Sequence, residues 1–211
     1  MPLYKTITIS PGTNVLIWKI EEPFEKLSEG MELTTHCRQR VEGMKSDLHR
    51  RGFMSVRHLL AAAGYTDHDL FYDEAGKPHL RDGKFISITH SYTFSGIIVS
   101  EREVGIDIEK QRDKILLIAQ KFTPLEEYRT LANADALIRK LTIVWGAKEA
   151  VYKLYAQPKV SFLQHINITD FDFDDHKTTG KITFNGITSW YEFEFLEFEG
   201  FTCVYTLRKV S

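Results

Sequence analysis

The stretch "VGIDIEK" places Asp107 and Glu109 at alternate positions of an apolar run. In a strand, residues i and i+2 face one side, so these carboxylates stand together while Ile106 and Ile108 face away. Like charges so placed repel and raise each other's pKa unless something positive lies between them. Further on, "WGAKEAVYKLY" reads as helix. It puts Glu149 and Lys153 at i and i+4 on one face, with Trp145 at i−4, and turns Lys148 about 100° away. One helix carboxylate added to two strand carboxylates makes a three-oxygen set with open positions. That set suits Mg²⁺, which keeps waters and binds phosphate oxygens, and Mn²⁺ accepts the same ligands.

Taken singly, these features are ordinary. An Asp-x-Glu is a common exposed strand end, and a Glu–Lys i,i+4 pair is a common solvated ion pair. The apolar flanks of both segments imply partial burial, where unpaired charge is costly and ligation attractive.

The elements that must position these groups are legible in outline. "YKTITI" and "NVLIWKI" read as strands around the turn signal Pro11-Gly12. A helix is expected from about Ser46 to Ala63, with Gly64 to stop it. After the turn-rich "YDEAGKPHL", three strands are expected in "KFISITHS", "SGIIVS" and "EVGIDIEK", antiparallel neighbours by their short connections. "KILLIAQKF" and "TPLEEYRTL" look helical, the latter with Thr123 as N-cap and Pro124 at N1. A long helix is expected from about Asp135 to Tyr155. "VSFLQHINI", "GKITFNGITSWYEFEFLEF" and "FTCVYTLRK" read as strands. The order strands, helices, strands, helices, strands gives an α+β class rather than regular βαβ alternation.

Composition narrows the function. A chain of 211 residues with 43% hydrophobic residues can bury a core. Lys+Arg 27 against Asp+Glu 29 gives a formal net charge of -2, without the basic excess of a nucleic-acid binder. Two distant cysteines, Cys37 and Cys203, make no disulfide framework, and a cytoplasmic setting is expected. No window has the roughly 20 apolar residues of a membrane helix, and "MPLYKTITIS" does not read as a signal peptide. The acidic "TDFDFDD" lacks the glycine and spacing of a calcium loop and reads as a strand end and turn.

"VGIDIEK" followed by "WGAKEAVYKLY" resembles the paired signature of the 4′-phosphopantetheinyl transferases. The length is similar to that of the long, surfactin-synthetase-activating (Sfp) type. The resemblance covers about Arg57 to Tyr155. It implies a monomer of two similar α/β halves in pseudo-twofold arrangement, here residues 1–104 and 105–211, with coenzyme A in the cleft between them. It implies transfer of phosphopantetheine from coenzyme A to a serine of an apo acyl or peptidyl carrier protein, releasing adenosine 3′,5′-bisphosphate. By motif, Asp107, Glu109 and Glu149 would hold Mg²⁺, Lys153 would contact the transferred phosphate, and Glu149 is a candidate base.

The same resemblance points to the rest of the coenzyme A site. "VRHLL" offers Arg57, "AGKPHL" offers Lys77, and "ITHS" offers Thr89 and His90. Arginine binds phosphate through its planar fork, lysine as a point charge, and histidine as a donor in either charge state. Thr89 stands where the family usually has serine and keeps the hydroxyl. Gly146 stands where the family commonly has a small polar residue. The segment "KQRDKILLIAQKF" sets Lys110, Arg112, Lys114 and Lys121 around an apolar cluster, either an ordinary amphipathic helix or a docking face for an acidic carrier-protein helix. The rival from another class is a coenzyme A-binding regulator without transferase activity. A further rival is a metal-dependent phosphotransferase or hydrolase that needs no carrier protein.

Overall fold

The computed structural model describes residues 3–124 and 133–208. The chain divides into two compact units, Met1–Glu103 and Val104–Ser211.

Unit 1 opens with β1 (Leu3–Ser10) and β2 (Thr13–Lys19), paired antiparallel around Pro11-Gly12, with Gly12 at φ +77°. Two short helices, α1 (Phe24–Ser28) and α2 (Thr35–Glu42), lead into α3 (Asp47–Ala62). The α3 helix starts where the Ser46 side chain accepts from the His49 amide and ends before Gly64 at φ +86°, as the sequence pattern predicts. Then come β3 (Leu70–Tyr72), β4 (Pro78–Leu80), β5 (Phe85–Ser91) and β6 (Phe94–Ser100). The six strands form one antiparallel sheet in the order β1-β2-β6-β5-β4-β3. The apolar side of α3, with Val56, Leu59 and Leu60, packs with Leu16, Ile97 and Val99 into the unit's core.

Unit 2 opens with β7 (Val104–Lys110), followed by the short α4 (Lys114–Ile118) and the long α5 (Ala134–Tyr155). Asn133 caps α5 by accepting from the Ala136 amide at 2.9 Å, and Ala156 ends it in the left-handed conformation before Pro158. The chain continues through α6 (Phe162–His165), β8 (Ile166–Ile168), β9 (Lys177–Phe184), β10 (Ile187–Phe198) and β11 (Phe201–Arg208). The sheet is antiparallel in the order β7-β11-β10-β9-β8. Asn185-Gly186, both at positive φ, turn the β9–β10 hairpin. The α5 helix lies across β7 and β11, burying Leu141, Val144, Ala147 and Val151 with Phe193, Phe195 and Val204.

The α+β expectation holds: two antiparallel sheets, each with its own helices. Three local expectations differ or fall away. The "EVGIDIEK" strand is not a neighbour of β6; it crosses to the second sheet and pairs with β11, so its short connection is a unit boundary rather than a hairpin. "VSFLQHINI" begins as a helical turn, because the Ser161 hydroxyl accepts from the Gln164 amide while the Ser161 amide donates to His165 Nδ1. The helix expected in "TPLEEYRTL" falls largely on residues 125–132, outside the described residues. "TDFDFDD" lies after β8 as expected, and includes a 3₁₀ turn at Phe173–Asp175.

Candidate active site

Unit 2 brings four of the predicted site residues together. Asp107 is buried on β7, directly across from Val204 of β11, and Glu109 follows on the same face, partly exposed. Ile106 and Ile108 point the other way and are wholly buried, which fixes the register. From α5, Lys153 Nζ donates to Asp107 Oδ1 at 2.8 Å and to Ile106 O at 2.9 Å. The Lys153 ammonium thus places a positive charge beside Asp107.

Glu149, one turn earlier on α5, is pushed up to about 7. Burial is the largest cause, the charge of Asp107 comes next, and Glu109 adds to it; Lys153 works the other way. The three carboxylates thus share one electrostatic site. Among the described residues, no three His, Cys, Asp or Glu side chains stand ready to hold a metal ion. The donor chemistry nevertheless fits a hard divalent cation: an all-oxygen set in which the charges of Asp107 and Glu109 raise Glu149. A groove of about 240 Å³ begins at Glu109 and runs past Arg112, Ile115, Ile118 and Trp145.

Lys148 turns away from this cluster, as helical geometry predicts. Its buried Nζ donates to the carbonyl oxygens of Phe122 (2.5 Å), Phe162 (2.7 Å) and Ile166 (2.6 Å). It ties α5 to three other segments of unit 2. Burial of this lysine is a feature that sequence reasoning missed.

The nucleotide-site candidates lie in unit 1. Arg57 is not on the surface of α3. Its side chain is 2% exposed and pairs with the fully buried Asp67, Nε to Oδ1 at 2.9 Å. The guanidinium also donates to Phe53 O and to Cys37 Sγ, and it lies over the Phe53 ring. Lys77 sits in the β3–β4 turn, where its amide donates to Asp73 Oδ1 at 2.9 Å. Thr89 and His90 are consecutive on β5 and so face opposite sides: Thr89 is buried and His90 exposed. His90 lies beside Gly52 of α3, with the His49 ring centroid 6.4 Å from its own.

Residues 103–206 match the 4′-phosphopantetheinyl transferase superfamily. The matched stretch spans β7 to β11 and contains Asp107, Glu109, Glu149 and Lys153. The chain is also 30% identical over 128 residues to enterobactin synthase component D of Salmonella typhimurium, covering 59% of this chain and 54% of that protein. The protein of the same name from Salmonella typhi matches to the same extent. The chain spans about half the length of the curated relatives it matches.

Proposed function

We propose that this chain transfers the 4′-phosphopantetheine group of coenzyme A to a serine hydroxyl of an apo acyl or peptidyl carrier protein. The observation that carries this reading is the convergence of Asp107, Glu109, Glu149 and Lys153 inside the segment that matches the superfamily. Within the superfamily, the reading is the long surfactin-synthetase-activating type, acting as a cytoplasmic monomer. Residues 1–104 would supply nucleotide contacts, and 105–211 the metal and the chemistry.

In the proposed reaction, the serine oxygen forms a bond to the phosphorus that carries pantetheine. The bond from that phosphorus to the bridging pyrophosphate oxygen breaks, and adenosine 3′,5′-bisphosphate leaves with the negative charge. Asp107, Glu109 and Glu149 would hold the divalent cation, Mg²⁺ or Mn²⁺. When bound, that ion supplies charge stabilisation at the phosphate oxygens. Lys153, already beside Asp107, adds a second positive charge at the transferred phosphate. Glu149 is the candidate base for the serine proton, directly or through water; holding the cation would make it a weaker base than it is in the metal-free chain, where burial and its carboxylate neighbours raise it. His90, exposed on β5, and Lys77 in its turn are the nucleotide contacts this reading favours; Thr89, buried on the opposite face of β5, is the weaker candidate. The segment holding Lys110, Arg112 and Lys114 would receive an acidic carrier helix, with Leu117 of α4 74% exposed beside it.

Intact-mass analysis of an apo carrier protein incubated with this chain, coenzyme A and Mg²⁺ tests the reading. A phosphopantetheine-sized gain that disappears with EDTA and with Glu149→Gln is the expected result. No gain on acyl or peptidyl carriers, with coenzyme A binding shown separately, would turn the assignment to a coenzyme A-binding regulator.

A further inference from the structure

Two positions without a Cβ lie where α5 crosses the sheet. A Cβ placed on Gly105 of β7 would stand 1.8 Å from Ala150 O and 2.7 Å from Ala150 C of α5. These are backbone atoms and cannot swing aside, so helix and strand touch there main chain to main chain. One turn back along α5, a Cβ on Gly146 would stand 2.8 Å from Val204 Cγ2 and 3.8 Å from Asp107 Oδ2. Val204 is the β11 residue directly opposite Asp107. The two contacts bracket Glu149, which precedes Ala150 by one residue, and Gly105 precedes Asp107 by two.

We infer that Gly105 and Gly146 are positioning residues that set how closely α5 lies on β7 and β11, and thereby hold Glu149 against Asp107 and Glu109. The seam works as a spacer of zero thickness. A small polar residue is common at this position in the family, so the constraint is particular to Val204 of this chain: adding one carbon at Gly146 must move either the helix or the Val204 methyl, and a lift of α5 carries Glu149 away from the strand carboxylates. Gly146 is the more informative of the two. Its neighbour is a side chain that a second substitution can shorten, whereas the neighbour of Gly105 is backbone.

The inference rests on the reading that these three carboxylates hold a divalent cation, so the test measures metal affinity as well as turnover. Mn²⁺ binding to the purified full-length chain is followed by electron paramagnetic resonance of the free ion, with thermal unfolding alongside. Wild type is expected to bind, and Glu149→Gln to lose binding. Gly146→Ala should weaken Mn²⁺ binding about tenfold or more, in the range that misplaced supporting groups cost a metal site. Val204→Ala added to Gly146→Ala removes the obstructing methyl and should restore affinity. A Gly146→Ala protein that folds and binds as wild type overturns the inference and leaves the metal reading standing. If Gly146→Ala does not fold, the double variant decides. Wild-type affinity there supports the spacer role. Weak affinity, or failure of the double variant to fold, overturns it in favour of a purely structural role for Gly146. No Mn²⁺ binding by wild type sinks the metal reading and this inference with it.

Discussion

Lys153 Nζ lies 2.8 Å from Asp107 Oδ1, so an ammonium on α5 already balances a buried carboxylate on β7. The contact joins the two halves of the sequence signature across the helix–sheet seam. Lys153→Ala should lower the transfer rate about 10²-fold or more, the scale of losing one preorganised charge at a developing anion. It also leaves Asp107 buried beside Glu149 without its cation, so unfolding should come at lower urea. Lys153→Arg keeps the charge but not the compact ammonium geometry and should recover stability better than rate. Single-turnover mass analysis and urea unfolding on the same preparations separate the two effects.

The raised pKa of Glu149 has a defined sign. Its folded-state value, about 7, lies above its ordinary 4.5, so between those limits the folded state binds more protons than the unfolded state. Glu149 therefore adds to stability fully below pH 4.5, and that contribution is lost as pH rises through about 7. Glu149→Gln is neutral throughout. Metal-free wild type should accordingly lose ground to the variant between these limits and run parallel to it above them. Added Mg²⁺ should reverse the trend, because cation binding needs the deprotonated carboxylate and becomes pH-dependent for that reason. Thermal unfolding across pH with and without Mg²⁺ reads both slopes; parallel curves across the whole range would contradict the assigned environment.

The basic segment after β7 makes a kinetic prediction. Gln111 donates to Glu197 at 2.6 Å, and Arg139 of α5 forms a two-point pair with the same carboxylate at 2.9 and 2.6 Å. This network fixes the segment that carries Arg112 and Lys114. Arg112→Ala with Lys114→Ala should raise the carrier-protein KM severalfold and flatten its salt dependence, with little change in kcat on saturating carrier. A titration of carrier protein at two ionic strengths checks it. An unchanged KM removes the docking role.

The strand β7 and the long helix α5 were legible because each carries a strict period. Alternation in "VGIDIEK" puts Asp107 and Glu109 on one strand face, and i,i+4 spacing in "KEAVYK" puts Glu149 and Lys153 on one helix face. What periodicity does not carry is partnership over long sequence separation. The pairing of β7 with β11 rather than β6 depends on where a sheet ends, and nothing local to "SEREVG" states it. Arg57 is offered by its sequence context as a phosphate contact, and nothing local to "VRHLL" states that Asp67, ten residues on, pairs with it. Gly105 did carry a signal: a glycine inside an apolar strand marks close backbone approach, and that approach is to Ala150.

Arg57 gives a test that sorts structure from ligand binding. Burial pushes the Asp67 carboxyl up, but the Thr34 amide and hydroxyl, the Arg57 charge and the Cys37 thiol outweigh it and hold Asp67 below the usual carboxylate range. The stability this contributes is present above the ordinary value of 3.8 and lost as pH falls through the lower folded value. Arg57→Met strands the buried carboxylate, and breaking such a pair costs about 3–5 kcal/mol. The deficit should be full at neutral pH and shrink in acid. Asp67→Asn added to Arg57→Met should recover part of it. A stable Arg57→Met protein whose only defect is a raised coenzyme A KM would instead return Arg57 to the nucleotide site.

Lys148 offers the sharpest separation of support from chemistry, since it stands next to Glu149 in sequence and turns away from it. Its three N–H donors meet three backbone carbonyls, one each from Phe122, Phe162 and Ile166. Lys148→Met keeps the buried stem and removes the donors. Each buried acceptor left without its hydrogen bond costs about 1–3 kcal/mol, so the urea midpoint should fall steeply. Lys148→Arg should not rescue it, because a planar fork cannot fan its donors to three converging carbonyls. Measured at low temperature where the variant is folded, Mn²⁺ affinity should stay near wild type. A Lys148→Met protein that is as stable as wild type but inactive would show that the lysine serves the reaction and not the packing of α5 against its neighbours.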